Sequence, residues 1–109
     1  MEEKTADKGP PVIKLSRGDF IFTIGYDGPV AIVDGQAKRR YASLSTAQLA
    51  EKGLFRAAYS SAVYSGKNEE IALVIEKYNK TSGSSYDPEA SLERLFGVIP
   101  IEVKRAIIL

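Results

Sequence analysis

The sequence contains no cysteine and no histidine. Without cysteine there are no disulfides, zinc–thiolate sites, iron–sulfur clusters or thiol chemistry. Without histidine the chain lacks the usual general base near neutral pH and the commonest metal ligand. We therefore expect no metal and no cofactor, and we favour a non-catalytic protein over the alternative of an enzyme without histidine or cysteine in its site. An enzyme would have to work through tyrosine, lysine, arginine and carboxylates, and no motif for such a site is present.

Long apolar runs are also missing, since no stretch of the sequence approaches the length of a membrane span. Residues 1–8 are charged and lack the apolar region of a secretory signal. We expect a cytoplasmic protein with no membrane partner.

No single sign of charge dominates, because 15 basic and 14 acidic residues leave a formal net charge of +1. Such a balance provides no overall field that would attract nucleic acid. The length of 109 residues and the hydrophobic fraction of 44% are those of one globular domain. Residues 1–11 are polar and end in Gly-Pro-Pro, so we expect a disordered tail at 1–11 and a single domain over 12–109.

Three segments near the start of the domain have the composition of strands: residues 12–15, 20–24 and 30–33. Two-residue turns at Arg17-Gly18 and Asp27-Gly28 would join them as an antiparallel meander. In that register Phe22 opposes Val33, and Ile24 opposes Ala31. One face then collects the apolar residues Ile13, Leu15, Phe20, Phe22, Ile24, Ala31 and Val33. The other face, with Lys14, Ile21, Thr23, Val30 and Ile32, is also largely apolar, which favours a cover on that side too.

The next segment, residues 36–41, fits either a fourth strand or a short helix with Asp34 as its N-cap. From there on the pattern is helical. Ser45 and Gln48 form a capping box for a helix that would stop at Gly53. A second helix is predicted over 54–65, ending at Gly66, and a third over 69–80 with Asn68 as N-cap.

Asp87-Pro88 would start a further helix. Residues 101–109 are predicted to form a last short helix, although residues 98–103 also fit a strand. The fold class is therefore α+β: an N-terminal antiparallel meander of three strands, or four with residues 36–41, packed against about four C-terminal helices. The strand order stays open.

The sharpest local feature is a run of three cations and an aromatic: Lys38, Arg39, Arg40 and Tyr41. Such residues can hold phosphates and stack a base, so a weak nucleic-acid-binding domain is one interpretation. A solvated turn or a charged edge strand explains the same residues.

The leading hypothesis is a small non-catalytic interaction module that binds a protein partner or associates with itself. Both faces of the predicted sheet are apolar, and residues 106–109 add four apolar side chains. Exposed apolar patches mark partner surfaces. The competing interpretation is a compact monomer in which the helices cover one face and the last segment covers the other.

Overall fold

The computed structural model describes residues 15–88, 92–96, 98, 103 and 105–109. It confirms the α+β class. The elements follow in the order α1 (Arg17–Ile21), β1 (Thr23–Asp27), β2 (Val30–Val33), α2 (Gly35–Tyr41), α3 (Thr46–Glu51), α4 (Phe55–Ser65), α5 (Asn68–Ser82), α6 (Glu93–Phe96) and β3 (Arg105–Ile108). The predicted tail at 1–11 and strand residues 12–14 lie outside the described residues.

The sheet is not a simple meander. β1 and β2 form an antiparallel hairpin, whereas β3 comes from the far end of the chain and lies parallel to β2, giving the order β1-β2-β3. The predicted helix over 101–109 is therefore wrong at 105–108. Four residues are too few for a period to separate helix from strand. Residues 105–108 form a strand because they pair with β2. The pairing extends one residue further, where the Leu109 N–H donates to the Val33 carbonyl at 3.0 Å. Most of residues 98–103 lie outside the described residues.

The predicted strand over 20–24 is wrong in its first half, because Phe20 and Ile21 belong to helix α1. The Ser16 side chain accepts a hydrogen bond from the Asp19 N–H at 3.2 Å and caps this helix. The expected hairpin at Arg17-Gly18 therefore does not form. Phe20 and Ile21 are both buried, and they enter two different apolar clusters.

The hairpin itself turns one residue later than predicted. Asp27 pairs with Val30, so the loop is Gly28-Pro29, and Gly28 takes the left-handed φ of 60° that glycine tolerates. The register is irregular at Ile24, which is left without a strand partner and is 57% exposed instead of facing inward. This irregularity is a β-bulge, which adds one residue to β1 and changes the facing of the residues before it.

Residues 35–41 form a helix, as the second of the two open alternatives predicted. Asp34 Oδ1 accepts hydrogen bonds from the N–H groups of Gln36 and Ala37, each at 3.1 Å. The capping box of Ser45 and Gln48 is confirmed. The helix ending at Gly66 is also confirmed.

The third predicted helix is present as α5, although it extends to Ser82 and its N-cap is Lys67 rather than Asn68. The helix expected from Asp87-Pro88 does not begin there, because Asp87, Pro88 and Leu92 are not helical. Residues 89–91 lie outside the described residues, and the described helix in this region is α6 (Glu93–Phe96).

The main core lies between the inner face of the sheet and helices α3, α4 and α5. Ala31 on β2 packs into one cluster with Ala58 and Ala62 of α4 and Val74 and Ile75 of α5, all fully buried. Small residues on α4 allow its neighbours to approach closely. None of the described helices is long and apolar enough to cross a membrane.

The start of α2 packs tightly against the end of β3. A Cβ atom at Gly35 would overlap the Leu109 carbonyl oxygen and would stand 2.8 Å from Ile108 Cγ2. Glycine is therefore required there for close approach rather than for its φ angle.

We expect Gly35→Ala to lower the free energy of unfolding by about 1–3 kcal/mol, because the added methyl displaces backbone. Alanine is the better helix former, so helix propensity alone would stabilise the variant. Urea unfolding followed by circular dichroism measures the change. Gln36→Ala, at the neighbouring exposed position, is the control and should stay within about 0.5 kcal/mol of the parent. A Gly35→Ala variant as stable as the parent would contradict the tight contact.

Candidate interaction surface

A network of hydrogen-bonded polar groups crosses the helical layer, and it begins at Arg17 of α1. Its guanidinium donates to the carbonyls of Ala42 and Leu44, at 2.8 and 2.7 Å, and to Ser61 Oγ at 2.8 Å. The first two acceptors belong to the segment between α2 and α3, and the third belongs to α4. One planar side chain thus ties three parts of the fold together.

The hydrogen-bond network continues from Ser61 through Thr46 to Glu70. The two hydroxyl oxygens are 2.7 Å apart, and Thr46 Oγ1 donates to Glu70 Oε1 at 2.6 Å. Since a hydroxyl has one proton, the proton between Thr46 and Ser61 belongs to Ser61. The hydroxyl hydrogen bonds of this network therefore all run in one direction, with each donor on the side of the Arg17 cation and each acceptor on the side of the Glu70 carboxylate.

The Thr46 and Ser61 hydroxyls have a structural role. Ser61 is 2% exposed and Thr46 is 6% exposed, so little of either is open to a substrate. A polar hollow of about 300 Å³ lies beside them, lined in part by Arg17, Gln48 and Glu70. Buried polar groups that are fully hydrogen-bonded specify how helices meet, and their loss leaves partners unsatisfied.

We expect Thr46→Val to reduce the free energy of unfolding by about 1–3 kcal/mol, because Ser61 and Glu70 each lose a partner. Thr46→Ser keeps the hydroxyl and is the matched control, with a smaller loss due to the missing methyl. Urea denaturation of the two variants gives the comparison. Equal stability of the valine and serine variants would show that the hydroxyl contributes nothing.

The four residues of the predicted basic cluster all lie on helix α2, but their side chains point to different sides of it. Lys38 Nζ lies 2.6 Å from Asp19 Oδ1 of α1. The Tyr41 ring is stacked on Phe22, with ring centroids 6.4 Å apart. Arg39 and Arg40 are exposed, and the Arg40 guanidinium carbon is 6.0 Å from the centre of the Tyr41 ring. The structure therefore places the four residues on one helix but does not turn them toward one surface.

Two further concave features of the described residues are mainly apolar. A groove of about 510 Å³ runs between the start of the sheet and the helices, with Ile24, Phe55 and Leu95 among its lining residues and Asp34 and Arg56 as its charged ones. A second hollow of about 510 Å³ lies between α3 and α5, around Leu73. Among the described residues there is no group of three or more histidine, cysteine, aspartate or glutamate side chains that could hold a metal ion.

Tyr26 of β1 faces the helices close to Arg56. Burial raises the pKa of the Tyr26 phenol above its ordinary value of 10.0, and the positive charge of Arg56 offsets part of that rise. Above pH 10 the unfolded chain loses this proton before the folded chain does. Its contribution to stability is therefore complete below pH 10 and is lost as the pH rises further.

Tyr26→Phe removes that titration. We expect the free energy of unfolding of the parent to fall more steeply between pH 9 and about pH 11 than that of the variant, since phenylalanine has no proton to lose. Urea unfolding at several pH values measures the two slopes. The same slope in both proteins would contradict a raised pKa at Tyr26.

The outer side of the sheet carries a different surface, which we call the open face. Its members are the residues that alternate with the inward-facing positions of the three strands. They are Gly25 and Asp27 of β1, Val30 and Ile32 of β2, and Arg105 and Ile107 of β3.

The open face is apolar at its centre and charged at two corners. Val30 and Ile32 are half-buried and Ile107 is 42% exposed, and none of the three joins the buried clusters of the described residues. Asp27 and Arg105 are exposed, and within the described part of the chain neither side chain forms an ion pair or hydrogen bond. Inward-facing Ala31 and Val33, by contrast, are completely buried.

Sequence reasoning identified Val30 and Ile32 as part of an apolar second face and singled out residues 106–109 as apolar. It did not place Arg105 and Ile107 on that face, because it assigned them to a helix. Four residues give too short a pattern to distinguish a strand from a helix, and no local signal indicates which strand would lie beside them. Comparison of the chain with protein-family models, with curated proteins and with solved structures found no match.

Proposed function

We propose that this protein is a non-catalytic interaction module that binds a protein surface through the open face of its sheet. The observation that carries the proposal is the apolar patch of Val30, Ile32 and Ile107 on the side of the sheet away from the helical core. The free energy falls when another protein removes such apolar side chains from water.

The surrounding groups suit a protein partner. Two charges of opposite sign, Asp27 and Arg105, stand at the margin of this apolar patch, and neither forms an ion pair among the described residues. An apolar centre with a polar rim is the usual arrangement of a protein–protein interface. The flatness of a sheet also suits another protein better than a small molecule, which prefers a concave site.

The hydrogen-bond network from Arg17 to Glu70 supports a non-catalytic role. Its hydroxyls are buried and bonded to one another, and the helices depend on them. Of the four residues of the basic cluster, Lys38 and Tyr41 pack against α1 and the residue that follows it, so no observation favours nucleic acid over protein.

A photo-crosslinking amino acid at position 107 tests the proposal in the cells that make the protein. We expect crosslinked protein adducts from position 107, because Ile107 would lie in the interface. Position 73 is the matched control, since Leu73 is 41% exposed on α5 and lies away from the sheet.

Adducts from position 107 that greatly exceed those from position 73 would support the proposal, whatever protein is attached. Equal yields from both positions, or none from position 107, would contradict it. Circular dichroism of each variant establishes that the substituted chain is folded.

A further inference from the structure

We infer that the partner of the open face is a second copy of this chain, packed face to face about a twofold axis parallel to β2. This inference rests on the proposed function and assigns its partner. It follows from how the strand register arranges charges and side-chain sizes across the face.

The register places the six residues of the open face in two rows. Asp27 pairs with Val30 and Val30 pairs with Arg105, so these three form one row across the sheet. Gly25, Ile32 and Ile107 form the other row in the same way. Neighbouring residues within a row are about 5 Å apart, the spacing of adjacent strands.

A twofold axis parallel to β2 keeps each row at its own level and exchanges the two outer strands. Asp27 of one copy then faces Arg105 of the other, and the reverse pair forms on the opposite side. Two copies of the face thus supply each other with the ion-pair partners that both residues lack among the described residues. Val30 and Ile32 meet their own counterparts at the centre.

The same rotation fits a large side chain against an empty position. Ile107 of one copy faces Gly25 of the other, and a Cβ atom built on Gly25 meets no atom within 4 Å. The open space above Gly25 can therefore receive the Ile107 side chain. Face-to-face sheets are about 10 Å apart, which side chains from both sides must fill.

A twofold axis perpendicular to the strands gives a worse arrangement. It would set Arg105 over Ile107 and Asp27 over Gly25, which desolvates both charges without pairing them. Opposite charges at the two ends of one row distinguish the first arrangement from the second. Complementary charges fix orientation and exclude wrong pairings.

The face is small, so the dimer is weak. Three short strands offer much less than the roughly 800 Å² per partner that stable complexes bury. We expect a reversible dimer that becomes populated only at high micromolar concentrations.

Sedimentation equilibrium of the full chain, from about 10 µM to about 1 mM at low salt, tests the inference. The average mass should rise from 11.9 kDa toward twice that value. Asp27→Arg and Arg105→Asp should each weaken dimerisation about tenfold, because attraction at both corners becomes repulsion. Glu76→Arg, an exposed charge reversal on α5, is the control and should leave dimerisation unchanged.

Mixing the two single variants separates pairing from misfolding. An Asp27→Arg chain and an Arg105→Asp chain can form both ion pairs with each other, so the mixture should dimerise about as well as the parent. Gly25→Val should prevent dimerisation by filling the space that Ile107 needs. Circular dichroism and urea unfolding check that each variant is folded.

A chain that stays monomeric at about 1 mM would overturn the inference, as would charge variants that dimerise like the parent or a mixture that fails to recover. The proposed function would still stand if position 107 crosslinks to a different protein. It would fall separately if position 107 crosslinks to nothing.

Discussion

The guanidinium of Arg17 is the group on which the arrangement of this fold depends most. Two backbone carbonyls between α2 and α3 and a buried hydroxyl of α4 converge on it. Without this donor those oxygens would lose a partner in a partly buried environment, at a cost of about 1–3 kcal/mol each. By holding α1 against α4, Arg17 also directs Phe20 and Ile21 into the two apolar clusters. The sheet begins only two residues after this anchored helix.

The two sides of the sheet differ because every described helix that contributes to the main core lies on one side of it. Within β2, the inward-facing Ala31 and Val33 are completely buried, whereas the outward-facing Val30 and Ile32 are only half-buried. The parallel approach of β3 also sets which residues share a row. Had β3 run antiparallel to β2, Arg105 would lie at the other end of the sheet from Asp27. The direction of one strand therefore decides whether the face matches a copy of itself.

Signals that act within a few residues were enough to predict much of this structure. The caps at Asp34 and Ser45 and the left-handed Gly66 depend only on neighbouring backbone. Helix α1 was missed because the β-rich composition of 20–24 outweighed the cap at Ser16, although packing of both Phe20 and Ile21 favours a helix. β3 and the residues it adds to the open face could not be predicted, since they need contacts between distant segments. The basic run around Arg39 was visible in sequence, but a helix turns consecutive residues to different sides.

The parallel pair of β2 and β3 also constrains the order of folding. Arg105 follows its partner Val30 by about 75 positions. A ribosome adding about 5–20 residues per second needs on the order of 4–15 s to cover that interval. During this time the hairpin and the helices can form, but one edge of β2 has no neighbour. Until β3 has been made, the backbone N–H and C=O groups on that edge of β2 stay open to pairing with any other extended segment.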